Sequence, residues 1–116
     1  MNDIIESLFS GFKVGGVSVP VVFLRYLGHG EPYVTYMQTD AANGYGADDF
    51  LGGYVEYWDF DVYSTGNYFP IIAAIKEKLK SAGFIYQPSR SSQDFYEDDT
   101  KYYHKTLCFA IHKQEV

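Results

Sequence analysis

The segment YVEYWDFDVY, residues 54–63, restricts the fold of this chain more than any other stretch. Its bulky apolar side chains alternate with other residues, which is the period of a β-strand that has one face against a core. Asp59 and Asp61 lie on the opposite face of this predicted strand, where we expect them to meet solvent or a partner. The face predicted to contact the core carries Tyr54, Glu56, Trp58, Phe60 and Val62.

Residues 67–84 contain the strongest helix signal. Asn67 can cap the helix at its start, and Gly83 followed by Phe84 is typical of a Schellman stop. Pro70 is compatible with the first turn, because N–H groups there have no helical partner. The apolar side chains that recur at helical spacing are Tyr68, Ile71, Ile72, Ile75 and Leu79.

The remaining segments complete an α+β pattern. A short helix is predicted to begin at Asn2 or Asp3 and to be ended by Gly11, Gly15 and Gly16. Strands are predicted over Val21–Leu27, Tyr33–Met37, Phe84–Gln87 and Tyr102–His112, the first two forming a hairpin, with loops over Thr39–Gly53 and Pro88–Lys101. We therefore predict a single domain, residues 1–116, in the order α-β-β-β-α-β-β, with two helices packed on one face of a mainly antiparallel sheet.

Charge and cysteine content exclude several protein classes. Nine basic against fifteen acidic residues give a net charge of −6 over 116 residues, which disfavours a general nucleic-acid binder and an anionic-membrane binder. The single cysteine, Cys108, cannot form an internal disulfide. No apolar run approaches the roughly 20 residues that span a bilayer, and the acidic first ten residues do not resemble a signal peptide. We expect a soluble domain synthesised in a reducing cytoplasm.

No catalytic constellation emerges from the motifs. The pair Asp59 and Asp61, or the acidic segment 94–99, could attract a divalent cation. The better explanation of the pair is two solvated carboxylates on an exposed sheet face, and that of the segment is a solvated loop or a surface for a partner's basic residues. His104 and Cys108 share a strand face but lie roughly 13 Å apart, too far for one to activate the other. We therefore expect no enzyme, no cofactor and no metal site.

Aromatic residues are in surplus. The chain has 12 Tyr, 9 Phe and 1 Trp, more rings than a core of this size needs. Tyrosine suits protein interfaces because one end of the side chain is apolar and the other stays hydrated. The residues that we predict at a protein interface are Asp59, Asp61, Arg90, Phe95, Tyr96, Glu97, Asp98, Asp99, Tyr102, Tyr103 and His104.

Three segments carry a resemblance to a known family. They are GNYFPIIAAIKEKL at residues 66–79 with the following Gly83-Phe84, QPSRSSQDFYEDDTKYYHKTL at 87–107, and VEYWDFDVYS at 55–64. Together they resemble small tail proteins of phages and prophages of Gram-positive bacteria, in particular the tail terminator, or tail completion, proteins of long-tailed siphophages. The resemblance spans about half of the chain, mainly residues 54–111.

This resemblance implies a structural role in the virion. Tail terminators are α+β proteins that form a hexameric ring on the tail tube, stop its polymerisation and offer a surface to the head connector. The expected partners are therefore other copies of the chain, the tail tube protein and the head connector protein, with DNA passing through unbound. The predicted strand 102–112, as a sheet edge, could pair with a neighbouring copy, and the loop 39–53 could become ordered on docking.

Three alternatives remain open at this point. The chain could be another head–tail connector or a minor tail protein. An acidic, tyrosine-rich chain could also mimic DNA and inhibit a DNA-binding enzyme. A small metal-dependent hydrolase that uses Asp59 and Asp61 is the third.

Overall fold

The computed structural model describes residues 2–26, 32–43, 53–98 and 102–114. The fold is mixed α+β with two helices and a mostly antiparallel sheet, which confirms the predicted class. Its elements, in chain order, are α1 (Asn2–Leu8), β1 (Lys13–Val14), β2 (Val17–Ser18), β3 (Val21–Phe23), β4 (Tyr33–Asn43), β5 (Gly53–Ser64), α2 (Phe69–Ser81), β6 (Ile85–Tyr86), a 3₁₀ turn (Pro88–Arg90), β7 (Phe95–Glu97) and β8 (Tyr102–Gln114).

The main sheet is built around β5. Its strand order is β3-β4-β5-β8-β6, and β7 pairs with the start of β8. β5 runs antiparallel to both β4 and β8, so that Phe60 lies between Tyr36 and Leu107. In the next row, Asp61 lies between Thr35 and Thr106.

One hydrophobic core joins the two helices to one face of this sheet. The ring centroid of Phe60 lies 5.9 Å from that of Phe9, which follows α1, and 5.7 Å from that of Phe109 in β8. The buried sheet residues of the core include Trp58, Phe60 and Val62, which confirms the predicted inward face of β5 for these three residues, whereas Tyr54 and Glu56 are only half-buried. The buried helical residues are Ile5, Ile71, Ile72, Ile75 and Leu79.

The predicted hairpin between the strands Val21–Leu27 and Tyr33–Met37 is wrong. β3 ends at Phe23 rather than at Leu27, and it pairs with β4 in the parallel direction. Leu24 has a φ of 65°, in the left-handed region that non-glycine residues seldom adopt, and this conformation turns the chain out of the strand. Residues 27–31, which include most of the predicted turn, lie outside the described residues.

Two predicted loops contain strands. β4 continues through Asn43, with a register shift between Gln38 and Asp40, so residues 39–43 belong to the sheet; residues 44–52 lie outside the described part. The segment 88–101 contains the 3₁₀ turn and β7. Gly15 and Gly16 do not end α1 but form the turn between β1 and β2, with positive φ values. The predicted order α-β-β-β-α-β-β is therefore wrong in detail, because strand pairing extended segments whose composition is typical of loops.

The expectation that the last strand forms a sheet edge is also wrong. β8 lies between β5 on one side and β6 and β7 on the other. Between β6 and β7, two serine hydroxyls take the place of a strand: the Thr106 N–H donates to Ser92 Oγ at 2.8 Å, and the Cys108 N–H donates to Ser91 Oγ at 2.9 Å. The backbone N–H of Ser92 donates in turn to the Thr106 carbonyl.

The end of α2 follows the sequence prediction. Gly83 has a φ of 94°, its N–H donates to the Lys80 carbonyl, and the Phe84 N–H donates to the Leu79 carbonyl. These two bonds are the Schellman pattern. At the other end, the N-cap position is Tyr68 rather than the predicted Asn67, whose Oδ1 accepts the Phe69 N–H at 3.1 Å. No helix in the described ranges is long and apolar enough to cross a membrane.

Replacing Gly83 with alanine should destabilise the protein by about 1–2 kcal/mol, because a Cβ disfavours the left-handed conformation. Gly66→Ala is the matched control, since a Cβ there would meet no atom within 4 Å and its φ is not in the left-handed region. Urea unfolding of both variants measures the difference. Equal free energies of unfolding for the two variants would contradict the role of Gly83 at the C-terminal end of α2.

Replacing Ser91 and Ser92 together with alanine should lower the free energy of unfolding by about 2–4 kcal/mol, because two partly buried N–H groups of β8 lose their acceptors. Hydrogen exchange should accelerate at Thr106 and Cys108. Ser89→Ala, an exposed change in the neighbouring 3₁₀ turn, is the control. Unchanged exchange at both amides would show that the hydroxyls do not replace a strand.

Candidate functional site: the open face of the sheet

The side of the sheet opposite the core forms one continuous surface, which we call the open face. Both helices pack against the other side, and within the described ranges no helix lies over it. The cross-strand register places its residues in rows across β4, β5 and β8. The side chains on this side of the sheet are Tyr33, Thr35, Met37, Tyr57, Asp59, Asp61, Tyr63, Tyr102, His104, Thr106 and Cys108, of which Thr35 and Cys108 are buried.

Four stacked rings cross one end of the open face, and we call them the aromatic row. The centroids of Tyr26 and Tyr33 lie 4.7 Å apart, as do those of Tyr33 and Tyr63. The Tyr63 ring then stacks on the His104 ring at 4.3 Å and 11°. Because Tyr33 and Tyr63 each have a ring on both sides, only their edges and hydroxyls are left for a partner. Tyr102 packs edge-on against the row, 5.8 Å from Tyr33.

The rings of the aromatic row are held in a partly desolvated setting. Burial, together with the neighbouring charge of Asp61, raises the pKa of Tyr63 to about 12. Burial likewise raises the pKa of Tyr33. Both phenols therefore stay protonated at neutral pH and present hydroxyl groups rather than charges.

A polar cluster adjoins the aromatic row. Asp61 Oδ1 accepts the Thr106 hydroxyl at 2.5 Å and lies 3.0 Å from His104 Nε2. The other ring nitrogen of His104, Nδ1, lies 3.8 Å from Glu97 Oε2. His104 thus lies between two carboxylates while its ring stacks on Tyr63, which fixes its orientation.

A second cluster surrounds Asp59, which is two residues before Asp61 on β5 and lies on the same face of the sheet. Burial raises the pKa of this carboxyl group, whereas hydrogen bonding from Cys108 and the charge of Arg90 act in the opposite direction. The Arg90 guanidinium lies over the Tyr57 ring at 3.9 Å. Burial, followed by the contact with Asp59, raises the pKa of Cys108 to about 11, so the thiol stays protonated and is a poor nucleophile.

The structure brings together most of the predicted interface residues. Those that lie on or beside the open face are Asp59, Asp61, Arg90, Phe95, Glu97, Tyr102 and His104. Asp59 and Asp61 do not simply face solvent, as had been one expectation, because both are half-buried and hydrogen-bonded by neighbours on β8. Asp98 lies in an exposed turn, and Asp99 lies outside the described residues.

Two predicted interface residues lie on the helix side. Tyr96 and Tyr103 pair with each other across β7 and β8, and their ring centroids are 4.9 Å apart. Tyr103 borders a cavity of about 420 Å³ at the start of α2, which is also lined by Phe69 and Asp94. Asp94 accepts the Tyr68 hydroxyl and lies 3.7 Å from Lys105 Nζ, so this carboxylate ties the segment before β7 to the core side.

Sequence reasoning missed three members of the aromatic row, namely Tyr26, Tyr33 and Tyr63. Tyr63 shares the alternation of Asp59 and Asp61, so its face was available from the sequence. The contact with Tyr33 depends on the register of β4 against β5, which no local signal reveals. In the described part of the chain, no group of three or more His, Cys, Asp or Glu residues is arranged to hold a metal ion.

The raised pKa of Asp59 makes a pH-dependent prediction. The folded state binds the carboxyl proton of Asp59 more tightly than the unfolded chain, in which the pKa of this group is about 3.8. The contribution of protonated Asp59 to stability is therefore lost as the pH rises above 3.8. The free energy of unfolding of the wild type, minus that of Asp59→Asn, should therefore fall as the pH rises above about 3.8.

Urea unfolding at a series of pH values measures this difference. Ser89→Ala, which changes no titratable group, is the control and should differ from the wild type by a constant amount. A difference between wild type and Asp59→Asn that rises with pH would contradict the assignment of Asp59 as a desolvated carboxyl group.

Comparison with known proteins gives no assignment: no protein-family model matches the sequence, and no curated protein matches it.

Proposed function

We propose that this chain is a structural protein of phage assembly, a tail terminator that caps the tail tube and joins it to the head connector. The observation that carries the proposal is the open face, an ordered surface of stacked tyrosines and carboxylates. The second support is the resemblance of residues 54–111 to tail terminator proteins.

The chemistry of the open face suits a protein partner. Interfaces between proteins are enriched in aromatic side chains and combine an apolar centre with polar groups. Here the aromatic row lies beside Asp61 and Glu97, and two apolar side chains, Met37 and Phe95, remain 40% and 54% exposed. A partner that covered these side chains would remove apolar surface from water, which is favourable.

The rigidity of this surface also favours binding. The rings of Tyr33 and Tyr63 are stacked on both sides, and Asp61 is hydrogen-bonded to Thr106. Side chains that are already ordered lose little conformational entropy when a partner binds. A flat, preorganised sheet surface of this kind is suited to repeated contacts in an assembly.

The net charge is compatible with DNA passage through a ring of such chains. Each chain carries −6, so a ring of copies would repel the phosphate backbone and would not retain DNA on its wall. Head–tail joining without termination is the alternative within the same class of structural proteins, and it would use the same surface.

The direct test is negative-stain electron microscopy of cognate tail tubes assembled with and without the chain. The proposal expects a discrete cap at one end of each tube and uniform tube lengths when the chain is present. Phe95→Asp should abolish capping, because it places a charge on the open face.

Ile4→Asp is the matched control for this test. Ile4 is 51% exposed, close to the 54% of Phe95, but it lies on α1 on the other side of the sheet. Capping should survive this change. Bare tube ends and unregulated lengths with the wild-type chain would overturn termination and leave head–tail joining as the role to test.

A further inference from the structure

The outer surface of α2 is the basic counterpart of the open face. The helix buries Ile71, Ile72, Ile75 and Leu79, and its three lysines lie among the positions that are not buried. We call this the α2 surface; its charged residues are Lys76, Lys78, Lys80, the single acid Glu77, and the neighbouring Lys13 on β1. The α2 surface therefore carries four ammonium groups and one carboxylate.

Two of these lysines are already positioned by ring contacts. Lys76 Nζ lies 4.1 Å from the centroid of Tyr86, and Lys78 Nζ lies 5.9 Å from that of Phe12. Their aliphatic stems are partly buried, whereas Lys80 and Lys13 are exposed. The positive charges are therefore spread along both flanks of the helix and are held near its surface.

The open face carries the opposite charge. Its carboxylates are Asp59, Asp61 and Glu97, and the guanidinium of Arg90 is the basic group beside them. The charge of Glu97 acts on Tyr33 and Tyr63 in the aromatic row, and that of Asp61 acts on Tyr63. Carboxylates and tyrosine hydroxyl oxygens accept hydrogen bonds from lysine ammonium groups, which can only donate.

We infer that copies of this chain associate head to tail, with the α2 surface of one copy seated on the open face of the next. This inference deepens the proposed function, on which it rests, by naming the occupant of the open face. The two surfaces lie on opposite sides of the sheet, so a two-fold dimer cannot satisfy both. Such a heterologous contact repeats from copy to copy and closes into a ring or continues as a filament.

Electrostatics sets the direction of this contact, and apolar burial supplies most of its strength. Single exposed ion pairs contribute only about 0.2–1 kcal/mol, but opposite potentials on two surfaces select the partner and the orientation. The exposed side chains of Met37 and Phe95 provide the apolar area. The association should therefore weaken with salt without vanishing.

α1 offers a competing acidic surface on the helix side of the sheet. Asp3 and Glu6 are both exposed there, and their charges act on Tyr36. Unlike the open face, α1 has no aromatic row beside its acids and exposes one large apolar side chain, Ile4. The open face is therefore the better partner for the α2 surface, and α1 provides a control.

Sedimentation velocity of the purified chain, with two charge-reversed variants, tests the inference. The wild type should form species larger than a dimer as its concentration rises, less so in about 0.5 M than in about 0.05 M salt. K76E/K80E reverses the α2 surface, and M37K/E97K reverses the open face. Each variant alone should associate at least about tenfold more weakly than the wild type.

Mixing the two variants gives the decisive result. An α2 surface made acidic matches an open face made basic, and the two unchanged surfaces still match each other, so the mixture should regain large species. D3K/E6K, the control on α1, should associate like the wild type. Circular dichroism of every variant verifies that it is folded.

Three outcomes would overturn the inference: a wild type that stays monomeric at all concentrations, a mixture that does not recover, or loss of association in D3K/E6K alone. Electron microscopy of tail tubes distinguishes a failure of the head-to-tail contact from a failure of the proposed terminator function. Capped tubes with a monomeric chain would remove only the head-to-tail contact. Bare tubes together with recovery in the mixture would remove only the terminator role.

Discussion

β5 is paired along its length on both sides, and the rest of the structure depends on the register of this pairing. The row that contains Phe60 places Tyr36 and Leu107 in the core, and the adjacent row places Asp61 between two threonines on the open face. A slip of one residue in β4 or β8 would exchange these two sets. The same strand register therefore determines both the composition of the core and that of the candidate site.

The exposed side of this arrangement is ordered by contacts that the core does not make. Stacking across adjacent strands joins Tyr33, Tyr63 and His104, and hydrogen bonds join Asp61 to Thr106. Such contacts contribute modestly to stability one by one. Together they hold the side chains of this surface in defined positions, so that these side chains would lose little conformational entropy on binding a partner.

Both sides of the molecule contribute to the charge pattern. Acids on the open face and lysines on α2 lie on opposite sides of the core, so the direction from α2 to the open face runs from basic to acidic side chains. Net charge alone does not reveal this direction, because −6 describes the sum and not its distribution. A chain with a net negative charge can in this way still have a basic surface on one of its helices.

The sequence alone determined the features whose signals are local. Alternation specified the inward face of β5, helical spacing specified the buried stripe of α2, and Gly83 specified where that helix stops, because each depends on backbone preferences within a few residues. The tertiary structure decided which strands meet: β3 runs parallel to β4, β8 is interior, and Tyr33 stacks on Tyr63. Strand order and register arise from hydrogen bonds between segments far apart in the chain, and these leave no mark in the local sequence.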